Sequence, residues 1–307
     1  MSLWPAFSAN LDPSRVSDYY YLAHISPNED QSSGRVKGTD VEVIRLPDNV
    51  IVANTAMDSK GSTIAGLSNL GMCMALQGIP EVDGTPPGRC LLIAAFESGD
   101  MFLLARGKIL ARLKNALGEA VPIMSLAVLP VPYSNSKTPC MIALGGPSQE
   151  TSTHTSARPL GFFSLLWGNS EDENDVKFIS LRDKLPVRSC GTSSLLWRPD
   201  HRILAVGQWD GEIRLVETRY TDRWRVYHLG WLASLGAIDS GELLGDWAAT
   251  TIQQPHGPII DQQSTTVRAL LFTHESHWLI SAAPASAGAV GSLLVWDVYR
   301  TTNSETL

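Results

Sequence analysis

The sequence predicts an all-β protein made of one repeated antiparallel unit, and three observations predict it. Short apolar runs of strand length recur along the 307 residues, separated by turns of Gly, Pro, Asp and Ser. The chain is 44% hydrophobic and only 18% charged, so it carries apolar side chain enough for a sizeable core and lies far from the composition of disorder. Its last strand-like run closes on Trp296-Asp297, a pair that ends repeats of this kind.

Taken in chain order, Tyr20–His24 and Val41–Leu46 read as a first strand pair. Between Arg89 and Arg106 two apolar runs flank the turn Glu97-Ser98-Gly99-Asp100, and Pro122–Val128 follows as the next strand. Cys140–Leu144 with Val176–Leu181 reads as a further pair. The clearest copy is Ser193–Thr218. There Leu195 and Trp197 share one side of a strand, and Arg198-Pro199-Asp200-His201 turns the chain, with proline presetting φ and aspartate able to bond nearby backbone. Ile203–Val206 then forms a short buried strand, Gln208-Trp209-Asp210-Gly211 a tight turn, and Glu212–Glu217 alternates polar and apolar residues. The same order returns in Val267–Phe272, Trp278–Ala283 and Ser292–Asp297.

Five such sheets fit the length, at about 40 to 45 residues per four-stranded blade once loops are allowed for. The expected architecture is therefore a WD-repeat β-propeller of about five blades, one domain over 1–307, with 145–159 and 233–263 as non-repeat loops. Residues 31–37 and 171–175 also read as loops, and Met1-Ser2-Leu3-Trp4 reads as the end of a repeat.

Four segments carry a family resemblance. They are Asp40–Pro47; Leu70-Gly71-Met72-Cys73-Met74-Ala75-Leu76; Leu91–Leu104 followed by Pro122–Leu126; and Trp197–Ala205 running into Trp209–Arg214, with the Leu294–Tyr299 end. In their order and spacing the chain resembles the WD-repeat family of fungal ASTRA-associated protein 1 and its animal counterpart, guanine-nucleotide-binding protein beta-subunit-like protein 1. The resemblance implies a protein-interaction scaffold of the ASTRA chromatin-remodelling-associated complex, found in nucleus or cytoplasm. Its implied partners are co-chaperone and kinase-complex subunits that mature phosphatidylinositol-3-kinase-related kinases. Members of that family look like propellers of seven or nearly seven blades, with about two repeats ahead of the point where this sequence begins, so the ring here is expected to be incomplete or open. The Gly-His pair common in such repeats is missing, and Pro284–Gly291 replaces a short turn with a longer loop. Other adaptors on the same fold, a G-protein-beta-like signalling scaffold or a ubiquitin-ligase substrate receptor, stay open as alternatives.

Charge and chemistry narrow the function classes. A net charge of −7 opposes direct binding to nucleic acid. No apolar run reaches the roughly 18 residues of a spanning helix, and the chain reads as soluble and intracellular. Cys73, Cys90, Cys140 and Cys190 form no CxxC pair and read as buried free thiols. No glycine turn opens a helix and no nucleophile elbow occurs, so no enzyme, cofactor or metal site is expected; His274-Glu275-Ser276-His277 reads as an ordinary polar turn.

The candidate protein-binding residues are Trp209, Asp210 and Arg214 at the tight turn, and Trp224, Arg225 and Trp231 on a segment outside the repeat pattern. Two readings of the first three stand side by side. They are the framework of a blade, with Asp210 accepting backbone N–H bonds, or they are exposed anchors for a partner.

Overall fold

The computed structural model describes residues 2–5, 20–29, 36–56, 70–79, 91–106, 108–130, 140–148, 159–167, 176–181, 190–200, 202–220, 224–232, 266–273, 278–283 and 292–297. Every element among them is a strand, and the strands form five sheets. The first sheet contains β1 (Ser2–Pro5), β2 (Tyr20–Glu29), β3 (Val36–Leu46) and β4 (Val50–Ala56). The second contains β5 (Cys73–Gly78), β6 (Leu91–Phe96), β7 (Met101–Ala105) and β8 (Lys108–Leu113). The third contains β9 (Ser125–Pro130), β10 (Cys140–Gly145), β11 (Leu160–Trp167) and β12 (Val176–Ser180). The fourth contains β13 (Thr192–Trp197), β14 (Ile203–Gln208), β15 (Ile213–Tyr220) and β16 (Trp224–Leu232). The fifth has β17 (Ala269–Phe272), β18 (Trp278–Ala283) and β19 (Ser292–Asp297). Within each sheet the strands lie side by side in chain order, the meander of a propeller blade.

The chain groups into two compact units: residues 1–144 with 149–181, and residues 145–148 with 182–307. The first unit shows why β6 and β7 are apolar at every position. Leu91, Ile93, Ala95, Met101 and Leu103 face one layer, which they share with Ile123, Leu126, Val128, Ile142 and Leu144. Leu92, Ala94, Phe96, Phe102 and Leu104 face the opposite layer, shared with Ala23, Val41 and Val43. A strand buried on both faces loses the polar half of its alternation, and all eleven residues of β6 and β7 are buried. In the second unit Ile203, Ala205, Ile213 and Leu215 pack with Val267, Phe272 and Leu279.

Five sheets agree with the repeat count, and β2 pairs β3 as expected, Tyr20 opposite Leu46. Several strand assignments change. Cys140–Leu144 and Val176–Leu181 are not neighbours, because β11 runs between them, with Phe163 opposite Ser180 and Trp167 opposite Val176. β9 opens the third sheet, and β8 closes the second. Ser2–Pro5 is the first strand of the first sheet, paired to Tyr20–Ala23, and not the end of another repeat. Val36 and Lys37, read as loop, belong to β3. The Trp224–Leu232 segment, read as outside the repeat, is the fourth strand of the fourth sheet. Of the expected loops, 146–148 carry no strand, while 149–158, 171–175, 233–263 and 284–291 lie outside the described residues, as do His274–His277 and Cys90.

Candidate protein interface

Gln208-Trp209-Asp210-Gly211 joins β14 to β15, and its conformation follows from its residues. The Gln208 N–H donates to the Glu212 carbonyl at 2.9 Å, and the Gly211 N–H returns to the Gln208 carbonyl at 3.3 Å. Gly211 sits at φ 86°, where a side chain is strained. Asp210 Oδ1 accepts the Glu212 N–H at 3.0 Å, closing an Asx turn.

The turn is tied to chain on either side of it. The Trp209 N–H donates to the Gly191 carbonyl at 3.0 Å and the Val267 N–H to the Gln208 carbonyl at 3.2 Å. Thr266 Oγ1 donates to the Trp209 carbonyl at 3.2 Å, and the Asp210 N–H points at Cys190 Sγ at 3.2 Å. The indole of Trp209 lies against Gly191, where a Cβ would come within 2.8 Å of the ring, and it remains 38% exposed. A rigid backbone therefore presents a large, half-open aromatic surface.

The same device occurs between β6 and β7. The Phe96 N–H donates to the Asp100 carbonyl at 2.9 Å, the Gly99 N–H to the Phe96 carbonyl at 3.0 Å, and Gly99 sits at φ 85°. Ser98 Oγ accepts the Asp100 N–H at 3.3 Å, so Ser98 occupies the place of Asp210. The Glu97 and Ser98 N–H groups donate to the Met72 and Leu70 carbonyls at 2.9 Å each, and Glu97 Oε2 accepts the Met72 N–H at 3.2 Å. This clamp presents Met72, 61% exposed. Sequence reasoning does not single out Met72; aligning the two turns on Gly99 and Gly211 is the signal that would have found its loop.

No protein-family model and no curated protein matches the chain. Among solved structures it is similar to Sqt1 of Saccharomyces cerevisiae, with a TM-score of 0.45 and 13% identity, covering 91% of this chain. The chain spans 58% of the length of that protein.

The structure separates the sequence candidates. Trp209 and Asp210 share the β14–β15 turn, with Asp210 serving the backbone as its residue type predicts. Arg214 is buried at 4% exposure on β15, opposite Val206 on one side and Trp231 on the other. Its guanidinium is framework, not an exposed anchor. Trp224 and Arg225 lie at the far end of the same sheet, opposite Tyr220 and Arg219, and Arg225 is exposed. The side chains of Trp224 and Trp231 lie outside the described ones.

The Arg-Pro-Asp motif has its own physical reason. Arg198 is only 3% exposed, and Asp200 meets its guanidinium with both carboxylate oxygens while Oδ1 also accepts the Arg202 N–H at 3.1 Å. Partial burial pushes the Asp200 carboxyl up, but the Arg198 and Arg202 bonds outweigh it and hold it below the usual range.

Cys73 and Cys140 are buried free thiols, as expected, and Cys190 is half-buried. Burial pushes the Cys73 thiol up to about 12 and raises Cys140 further; at Cys190 burial and the Asp210 charge both raise it. A folded-state thiol pKa raised above the ordinary 9.0 favours the folded state fully below that value, and the advantage is lost as pH rises above it. Stability is therefore expected to fall from pH 9 upward. At neutral pH the native chain is expected to label at Cys190 well before Cys73 and Cys140, which react only on unfolding; mass spectrometry after iodoacetamide treatment checks the order. Early labelling of Cys73 would contradict its burial. Among the described residues no three of His, Cys, Asp and Glu are grouped as a metal would need, and no helix is long and apolar enough to cross a membrane.

Proposed function

We propose that the chain is a non-catalytic protein-interaction scaffold whose contact points are the clamped turns of its blades, the Trp209 turn foremost. One observation carries this reading: Trp209 is held by hydrogen bonds to its own N–H and carbonyl, yet keeps 38% of its surface open to solvent. A tryptophan fixed before binding loses little conformational freedom when a partner covers it, and tryptophan is the residue type most often dominant in interfaces. Met72 on its own clamp is a second apolar contact of the same design. Asp210 supports the turn from within.

The resemblance to the ASTRA-associated family supports a more specific reading. In it the bound proteins are co-chaperone and kinase-complex subunits, and the chain works in the nucleus or cytoplasm without touching nucleic acid or membrane. Affinity purification of the tagged chain, followed by mass spectrometry, tests both levels. Kinase or co-chaperone subunits among the captured proteins would support the family role, and their consistent absence would remove it. Trp209→Ala is expected to weaken the specific captures by about 2 kcal/mol or more, roughly thirtyfold, while the circular dichroism of the chain stays unchanged. Captures indifferent to Trp209→Ala and Met72→Ala alike would remove the turns from the interface.

A further inference from the structure

The described methionines sit in sharply different settings. Met101 and Met141 have no exposed surface, Met74 and Met124 are half-buried, and Met72 is 61% exposed. Met72 is also the one that Glu97 fixes by its backbone. The Glu97 N–H donates to the Met72 carbonyl at 2.9 Å, and Glu97 Oε2 accepts the Met72 N–H at 3.2 Å. Gly71, at φ 70°, makes room for that carboxylate, since a Cβ there would come within 2.6 Å of Oε2. The clamp thus carries a thioether at a fixed point with its side chain in solvent. Chemistry at the Met72 sulfur leaves every bond of the clamp in place, whereas the sulfurs of Met101 and Met141 are reached only by opening the core.

The thiols offer little competition for an oxidant. Peroxides attack thiolate, and burial holds the Cys73 thiol up at about 12 and Cys140 further up. Cys190 is half-buried, and burial with the Asp210 charge raises its thiol too. A thioether needs no ionisation before it reacts. Among the described residues Met72 is therefore the most open sulfur at neutral pH.

We propose that Met72 is a site of reversible oxidation by peroxide, and that the oxidation switches off the contact Met72 makes. The switch rests on the reading of the clamped turns as contact points. The Met72 sulfur attacks one oxygen of hydrogen peroxide, the O–O bond breaks, and the second oxygen leaves as water with the proton released by the first. The sulfur gives up two electrons and becomes a sulfoxide; the peroxide takes them. The product keeps nearly the size of the side chain but adds a strong hydrogen-bond acceptor, which an apolar partner surface would strip of water without replacing the bond. Binding through this contact is expected to fall at least about tenfold. Methionine sulfoxide reductases return the thioether with electrons from thiols, so the change is reversible.

Hydrogen peroxide added to the full chain at neutral pH, followed by peptide mass spectrometry, gives the first readout: Met72 is expected to gain oxygen at least about tenfold faster than Met101 and Met141. Affinity capture gives the second, scored on the proteins that the untreated chain captures and Met72→Ala loses. Peroxide treatment is expected to release them, reductase treatment to restore them, and Met72→Gln, polar without peroxide, to lose them, with circular dichroism unchanged throughout. Met72→Leu cannot form a sulfoxide, and whatever it captures is expected to be the same before and after peroxide. Equal oxidation rates at Met72 and Met101, an equal peroxide effect in Met72→Leu, or captures that the reductase does not restore overturn the switch. Captures that Met72→Ala loses but complete oxidation of Met72 leaves intact also overturn it, while keeping Met72 as a contact. Captures indifferent to Met72→Ala before any peroxide remove the contact itself, and the switch with it.

Discussion

Phe102→Ala is expected to destabilise the first unit by about 3 to 5 kcal/mol, the range for removing a large aromatic side chain from a packed core. The ring has no exposed surface. It meets Phe96 edge-on, with centroids 5.5 Å apart and planes at 86°, and the Arg112 guanidinium lies 5.3 Å from its centre. It also fills the layer that Leu92, Ala94 and Leu104 share with Val41 and Val43 of the first sheet. Truncation therefore removes one aromatic contact and one cation contact as well as the buried area, and it leaves a cavity that two sheets would have to close. Hydrogen exchange of the Leu91–Ala105 amides reads the effect where it arises. Phe102→Leu, which keeps most of the volume, is expected to cost less than half as much, and unchanged protection in Phe102→Ala would show that the ring does not hold the layer together.

Asp100→Ala should approach the same size, about 3 kcal/mol, by a different route. The residue is 5% exposed and accepts from Arg112 through Nε at 3.0 Å and through Nη2, and from the Asn115 N–H at 3.2 Å. Removing one partner of a buried pair leaves the other charge in a poor environment, and that penalty dominates. Asn115 adds to it. Held at φ 50°, it needs the Asp100 carboxylate to fix the turn after β8, where the Ala116 N–H donates to the Gly99 carbonyl. The double variant Asp100→Ala/Arg112→Leu is expected to recover a large part of the loss, because no uncompensated charge remains. Urea unfolding of the three proteins gives the coupling directly; strictly additive losses would mean that the two side chains do not act as a pair.

How legible these features are depends on how many sides of an element are buried. Leu91–Phe96, Met101–Ala105, Cys140–Gly145 and Ile203–Gln208 are buried at every position, and their unbroken apolar runs announce them. Outer strands announce little. Lys108–Leu113 is half-exposed or exposed throughout and its charges read as connection, whereas Val176–Ser180, exposed at most positions, reads as a strand but without its partner β11. Leu160–Trp167 is apolar enough to be seen, but the polar chain on either side places it outside the spacing of the other copies. Trp224–Leu232 mixes arginine, histidine and glycine with aromatics, and only its pairing to β15 shows that it belongs to the repeat.

The candidate interface divides in the same way. The Trp209 turn is local: Asp210 and Gly211 specify it within four residues, and sequence reasoning finds it. The Met72 display is not local, since the bond from its N–H crosses 25 positions to Glu97. Burial of Arg214 is likewise a property of the sheet it sits in, invisible in a motif that pairs an arginine with a tryptophan and an aspartate.

The carbonyls of Phe96 and Gln208 each serve two donors, the glycine of their own turn and a residue two positions ahead of a later strand, Ile123 before β9 and Val267 before β17. Each is a docking post at which the following sheet takes its alignment from the preceding one. The stretch of chain between post and arrival differs greatly between the two cases, yet the arrival point is the same. One residue added inside either turn would move the post itself. For anyone wishing to graft a reporter or an affinity handle into this protein, the two glycine turns are the places to leave untouched.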